Sequence, residues 1–201
     1  MTAHLVHGFN VNDGGEATIA KLAPYLERRG FDVLVHDFGR KRLFTLRRKN
    51  REAVAQLLDL IKPGDVIGGH SNAALITHKL VRNGAPLSAV AIFQAALRRD
   101  TYWPAYLPVL NVCNRGDWVV QFGRVWGRLS SLACMKAHGW GAAGRYGFTT
   151  GQQNVINRFT DDMPGYPPVR GHSTIFKAEA GRPHLEAAAR WLEQAVAPGL
   201  A

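Results

Sequence analysis

Four short segments carry residue types able to do chemistry together. The first is Val66-Ile67-Gly68-Gly69-His70-Ser71-Asn72-Ala73-Ala74, where a strand candidate turns abruptly into a helix candidate ending near Arg82. Ser71 sits at the turn. A serine on so tight a strand-to-helix turn needs small residues two before and two after it, because larger side chains would collide there. Gly69 and Ala73 meet that need, with alanine standing where the commoner G-x-S-x-G form has its second glycine. Ser71 is therefore a candidate nucleophile, although a serine capping a helix after a strand is also a common structural device.

The other three segments supply what a nucleophilic serine requires. His7-Gly8-Phe9-Asn10 follows the first apolar run. Its glycine would let backbone approach a substrate carbonyl, so the amides of Phe9 and Asn72 are the expected donors to an oxyanion. His7 itself reads as a structural hydrogen-bonding residue. Asn114-Arg115-Gly116-Asp117 follows a later strand candidate, and a carboxylate there can orient a histidine from a neighbouring loop and stabilise its imidazolium. Gly-Asp is also a frequent turn pair, and Asp100 is a rival acid; Asp117 is preferred. Gly171-His172-Ser173 lies between the last strand candidate and the last helix candidate. A histidine on such a loop can take a serine proton and return one to a leaving group. His184, at the start of the final helix, is the alternative base and reads as a surface residue.

These segments must be positioned by the elements between them. Runs rich in Val, Ile and Leu at His4–His7, Asp32–His36, Val66–Gly69, Ala89–Phe93, Val109–Cys113 and Val155–Phe159 read as strands. Amphipathic stretches at Glu16–Arg29, Asn50–Ile61 and Pro183–Val196 read as helices, punctuated by Asp13-Gly14-Gly15, Gly30, Pro63-Gly64 and Pro198-Gly199. Strands alternating with helices predict a mostly parallel sheet covered on both faces. Val120–Gln153 is less regular, with Trp126 and Trp140, and reads as a helix followed by a loop.

The chain has 201 residues, 46% of them apolar, enough for one substantial core, so a single domain over 1–201 is expected. No run approaches the roughly eighteen apolar residues of a membrane span, and Met1 leads straight into a strand-like segment. A cytoplasmic location is expected. The two cysteines, Cys113 and Cys134, have no CxxC spacing, and neither a metal site nor a disulfide framework is indicated. Lys and Arg outnumber Asp and Glu by 25 to 15. Much of that excess lies in Arg40, Lys41, Arg42, Arg47, Arg48, Lys49 and Arg51, which read either as a solvated helix face or as a rim attracting an anionic substrate or surface. No nucleic-acid-binding module accompanies them.

Taken jointly, the four segments resemble the α/β-hydrolase superfamily over nearly the whole chain. They show an early strand with a His-Gly loop, a strand–Ser–helix elbow, a Gly-Asp after a later strand and a loop histidine before the final helix. The order Ser71, Asp117, His172 is that fold's order. The resemblance implies a minimal version of the fold, with six parallel strands, helices on both faces and the family's first antiparallel hairpin absent. Only Gln94–Leu107 separates two strands where the family's cap enters, which implies at most a small lid. Arg98, Arg99, Tyr102, Trp103, Trp126 and Trp140 are its candidate residues, each also explicable as packing. It further implies a cofactor-free esterase or lipase-like enzyme working on a small or lipid-like ester. Thioesterase, acyltransferase and inert binding-module readings stay open, and the sequence leaves the oligomeric state undetermined.

Overall fold

A computed structural model describes residues 1–40, 45–122, 140–149, 151–177 and 179–197. Six strands, β1 (Thr2–Val6), β2 (Asp32–His36), β3 (Val66–His70), β4 (Ala89–Phe93), β5 (Val109–Cys113) and β6 (Val155–Phe159), form one sheet in the order β2-β1-β3-β4-β5-β6. All five pairings are parallel. The central strands β3, β4 and β5 are buried along their whole length, as continuous apolar runs require when helices cover both faces. Polar residues collect where the chain leaves the strands, and β3 has its neighbours β1 and β4 on either side.

The helices are α1 (Ala23–Glu27), α2 (Leu46–Leu60), α3 (Ala73–Arg82), α4 (Ala143–Tyr146), α5 (Thr174–Lys177) and α6 (Arg182–Val196). Residues 118–122 are also helical. One core layer joins Val6, Ile67, Val90 and Ile92 of the sheet to Leu57 of α2 and Ile76 and Leu80 of α3. On the opposite face Ala3, Leu5, Ala91 and Leu110 pack with Leu26 of α1 and Leu185 and Leu192 of α6. Each layer rests on the period of its elements, with alternate strand residues turned to opposite faces.

Several boundaries differ from the sequence reading. The first strand begins at Thr2 and ends at Val6, because the Thr2 N–H is held by Asp65 Oδ1 at 2.9 Å and the register starts with Thr2 beside Asp32. The expected helix over Glu16–Arg29 is broken. Asp13 accepts the N–H groups of Gly15 and Ala17 at 3.0 and 2.9 Å, a tight 3-10 turn spans Ile19–Leu22, and α1 follows. Pro24 explains the break, since it offers no N–H and crowds the turn before it. The second helix starts earlier than expected, at Leu46, and the last begins at Arg182. Of the expected helix and loop over Val120–Gln153, residues 123–139 and 150, including Trp126, lie outside the described residues, as do Cys134, Lys41 and Arg42.

Candidate active site

Ser71 stands directly after β3 with φ of 57°, a left-handed conformation that costs a non-glycine residue free energy. Its N–H donates to the Phe93 carbonyl at 2.9 Å and its carbonyl accepts from Ala96 at 3.1 Å, which tie the turn to the end of β4. The need for small neighbours has a direct geometric basis. A Cβ on Gly69 would lie 3.1 Å from the Ala73 Cβ. A Cβ on Gly8 would lie 3.1 Å from the Ser71 Cβ and 3.2 Å from the His70 carbonyl, so the loop after β1 runs against the serine. Among the described residues, the non-glycine residues with positive φ are Asn10, Ser71 and Gln94. They follow β1, β3 and β4, three neighbouring strands, and backbone strain of this kind clusters at functional sites.

Asp117 and His172 meet although 55 residues separate them, with His172 Nδ1 at 2.7 Å from Asp117 Oδ2. A carboxylate only accepts, so the hydrogen of this contact sits on Nδ1. Asp117 is fully buried, while the His172 side chain keeps 15% of its surface exposed. The other carboxylate oxygen accepts from Val119 and Val120 N–H at 3.0 and 3.2 Å and so caps the helical residues 118–122. Asn114, buried at the end of β5, donates to the carbonyls of Val169 and Gly171 at 2.8 and 3.2 Å and thereby fixes the loop that carries His172. His70 adds a second brace. Its Nε2–H donates to the His172 carbonyl at 3.1 Å, and the two rings lie 4.7 Å apart. Burial first, then repulsion from His172, pushes the His70 imidazolium well below its usual range, so His70 is a neutral donor.

The side chains of Phe9 and Asn72 are linked through Trp140. The Asn72 side chain is buried and exchanges hydrogen bonds with Asn50 of α2 at 3.0 and 3.4 Å, and the Trp140 indole donates to Asn72 Oδ1 at 3.0 Å. Trp140 in turn meets Phe9 edge-on with ring centroids 5.5 Å apart. The loop after β1 and the start of α3 are thus bridged by one tryptophan. His7 is buried in a structural role, donating from Nδ1 to the Gly8 carbonyl at 3.0 Å and accepting from Phe38 N–H at Nε2.

The rivals fall elsewhere. Asp100 is exposed and paired with Arg98 at 2.6 Å. His184 was expected at the surface but is 2% exposed, because the first turn of α6 packs inward and its Nε2–H reaches the Pro167 carbonyl at 2.9 Å. Trp103 is a core residue against His78 and Phe148, whereas Tyr102 is 64% exposed. Arg99 donates to the Gly147 carbonyl at 3.1 Å. Cys113 is buried and its thiol is pushed up by desolvation, which makes it inert. Of the basic residues, Arg40 donates to Asn10 Oδ1 at 2.8 Å, beside the loop facing Ser71. Arg48 and Lys49 pair with Glu52 at 3.5 Å on α2. Burial and the nearby Arg47 and Arg51 lower the Lys79 ammonium, which places a cation of α3 beside the same patch.

Asn50, His70, Asn114 and Gln94 were not singled out from sequence. The available signals were a polar residue on the apolar face of α2 and a histidine directly before the serine. Among the described residues, no group of three or more His, Cys, Asp or Glu side chains could hold a metal ion, and no helix is long and apolar enough to cross a membrane.

No family model and no curated protein sequence matches this chain. Solved structures do. A Xanthomonas campestris protein described as a hydrolase of the alpha/beta superfamily superposes with a TM-score of 0.54 at 19% identity, over 96% of each chain. A monoacylglycerol lipase of Paleococcus ferrophilus gives 0.52 at 15% identity, over 96% of this chain and 94% of that one. The Pyrococcus furiosus esterase Pf2001 gives 0.60 at 14% identity, over 98% and 83%. The chain has the α/β-hydrolase fold, with the six-stranded parallel sheet that the sequence resemblance implied.

Proposed function

We propose that this chain is a serine hydrolase that cleaves carboxylic esters through an acyl-enzyme, with Ser71 as nucleophile, His172 as base and Asp117 as the acid that orients it. The observation that carries this reading is the 2.7 Å contact between His172 Nδ1 and the buried Asp117 carboxylate, made on a loop braced beside a serine in left-handed backbone. An imidazole so held is fixed in the base-competent tautomer and gains its charge beside a carboxylate that can stabilise it.

In the proposed reaction Ser71 Oγ bonds to the ester carbonyl carbon while its proton passes to His172 Nε2. The oxyanion so formed is held by the amides of Phe9 and Asn72, which lie on the two segments that Gly8 and Trp140 bring together. Collapse of the tetrahedral adduct breaks the bond to the leaving alkoxide, which takes the proton from His172. Water then attacks the acyl-Ser71 ester with His172 again accepting the proton, and the acid departs as Ser71 regains its hydrogen. No cofactor enters these steps. Trp118, Val119 and Phe122, all more than half exposed next to Asp117, offer an apolar surface suited to a lipid-like acyl or alcohol group. That the structural neighbours include a lipase and an esterase supports the same class.

One observation favours a variant of this reading. Arg40 sits on Asn10, next to the proposed donor Phe9, and the cations of α2 lie nearby in sequence, which suits an ester or thioester that carries an anionic group. Hydrolysis of p-nitrophenyl esters of increasing chain length, beside that of an ester and a thioester each carrying a carboxylate or phosphate at rising salt, tests both. The ester reading expects turnover that Ser71→Ala abolishes, and an apolar site expects longer chains to be preferred. Attraction of an anionic substrate expects kcat/KM to fall as salt screens it. A folded native chain that hydrolyses neither esters nor thioesters contradicts the proposal.

A further inference from the structure

Among the described residues β2, at one end of the sheet, pairs only with β1, and its outer edge carries an unusual residue pattern. Edge strands of soluble proteins are ordinarily guarded by lysines, prolines, bulges or covering loops, because their unpaired N–H and C=O groups template pairing with another chain. Here the sequence is Asp32-Val33-Leu34-Val35-His36, with Leu34 48% and Val35 42% exposed and no lysine, proline or bulge among them. The Asp32 N–H donates to the Met1 carbonyl at 3.0 Å, so the peptide groups of residues 32, 34 and 36 turn towards β1. Those of Val33 and Val35 therefore turn outwards.

We propose that this edge is a homodimer interface, in which β2 pairs antiparallel with β2 of a second copy about a twofold axis at Leu34. The strand is self-complementary in that register. Val33 lies opposite Val35 of the other copy, and these are the residues whose outward peptide groups can exchange both hydrogen bonds, as the hydrogen-bonded positions of an antiparallel pair must. Leu34 meets Leu34 at the intervening non-hydrogen-bonded position, where side chains approach most closely. Asp32, whose side chain is 88% exposed, lies opposite His36. Apolar residues face apolar ones and a carboxylate faces an imidazole, so no like charges oppose each other, although the chain as a whole carries a formal +10. The other edge, β6, lacks this property. Its sequence Val-Ile-Asn-Arg-Phe paired about Asn157 sets Ile156 against Arg158, and the Asn157 side chain is already bonded to the backbone of Phe148. A second copy of this chain is the occupant that the palindromic chemistry of β2 fits, and the pairing joins two sheets into one continuous sheet. It does not depend on the chemistry assigned to Ser71.

Sedimentation equilibrium and intermolecular cross-linking of the full chain test the proposal. The native chain is expected to show twice its 22.1 kDa mass, and Leu34→Lys, a change on an exposed side chain that sets two cations together at the axis, is expected to weaken the dimer about tenfold or more with circular dichroism unchanged. Non-hydrogen-bonded partners have Cα atoms about 4.5 Å apart, within the usual disulfide range, so Leu34→Cys is expected to form an intermolecular disulfide that neither the native chain nor Ile156→Cys forms. A chain that stays monomeric at high concentration overturns the proposal. So does a dimer that cross-links at residue 156 and not at 34, or one that persists unweakened in Leu34→Lys.

Discussion

Both carboxylate oxygens of Asp117 have a use, and that makes it a discriminating residue. One oxygen accepts from His172 and the other from two backbone amides. Asn at this position keeps its oxygen for the Val119 and Val120 amides and then presents its NH2 donor to His172. Asp117→Asn is therefore expected to fold with native circular dichroism while kcat falls by about 10⁴-fold, the cost of losing the tautomer. Asp100→Asn removes only an exposed pair with Arg98 and is expected to leave the rate unchanged. The reverse result in steady-state kinetics would mean the acid is misassigned. A second residue prediction concerns Asn50, whose truncation to alanine leaves the buried Asn72 amide short of a partner. Chemical denaturation of Asn50→Ala is expected to show a loss of about 1–3 kcal/mol, and an unchanged midpoint would contradict that network. Ser71, Asp117 and His172 stand out as candidates in the sequence because each has a glycine one or two residues before it, and the structure brings Asp117 and His172 into contact. Asn50 and His70 do not stand out, because their partners Asn72 and His172 lie 22 and 102 residues away in sequence and only the folded sheet brings them together.

At the scale of elements, the site depends on how closely the loop after β1 approaches the turn after β3. Gly8 permits that approach, and a methyl group there would press on the Ser71 Cβ and the His70 carbonyl. Gly8→Ala is expected to lower kcat/KM by about 10²-fold, since displacements of the order of an ångström cost that much in a positioned site, with a much smaller effect on Tm. Ester kinetics beside thermal denaturation check this, and an alanine variant of native activity would show that the loop is not part of the reacting centre. The same scale shows where pattern reading succeeded and failed. The sequence reading gives β2, β4, β5 and β6 their observed ends because turn residues bound runs rich in Val, Ile, Leu and Phe. The stretch before α1 was misread as one helix, since its apolar spacing is helical but Pro24 interrupts the hydrogen-bond ladder and Asp13 captures the first amides. Helical period predicted the buried face there but not the break.

The molecule as a whole buries imidazoles, and this gives its stability a definite pH dependence. Burial, aided by His4, lowers His36 to about 4, and burial also depresses His70, His78 and His184. In the unfolded chain these groups take up protons near pH 6.5, whereas the folded chain resists doing so. The unfolded state thus binds more protons below that value, and stability falls as pH is lowered from about 6.5 towards 4. The depressed carboxyls of Asp13 and Asp65 withdraw their contributions only at still lower pH, below their ordinary value of 3.8. Calorimetry is expected to show Tm dropping between pH 7 and pH 4.5, and a flat Tm over that interval would contradict the burial of these rings. The strand count and parallel sense followed from the alternation of patterns, and the resemblance supplied the fold. Edge exposure was not legible, because β2 reads as apolar whether a neighbour covers it or not.

The central claim is that Ser71 is a nucleophile activated by His172. Its most direct test is labelling of the full native chain with a fluorophosphonate, the modified residue being located by mass spectrometry and compared with Ser71→Ala and His172→Ala. A single adduct on Ser71, absent from the Ser71→Ala chain and strongly slowed in the His172→Ala chain, is the predicted result. An adduct on another residue, or a folded native chain that takes up no label, would contradict it.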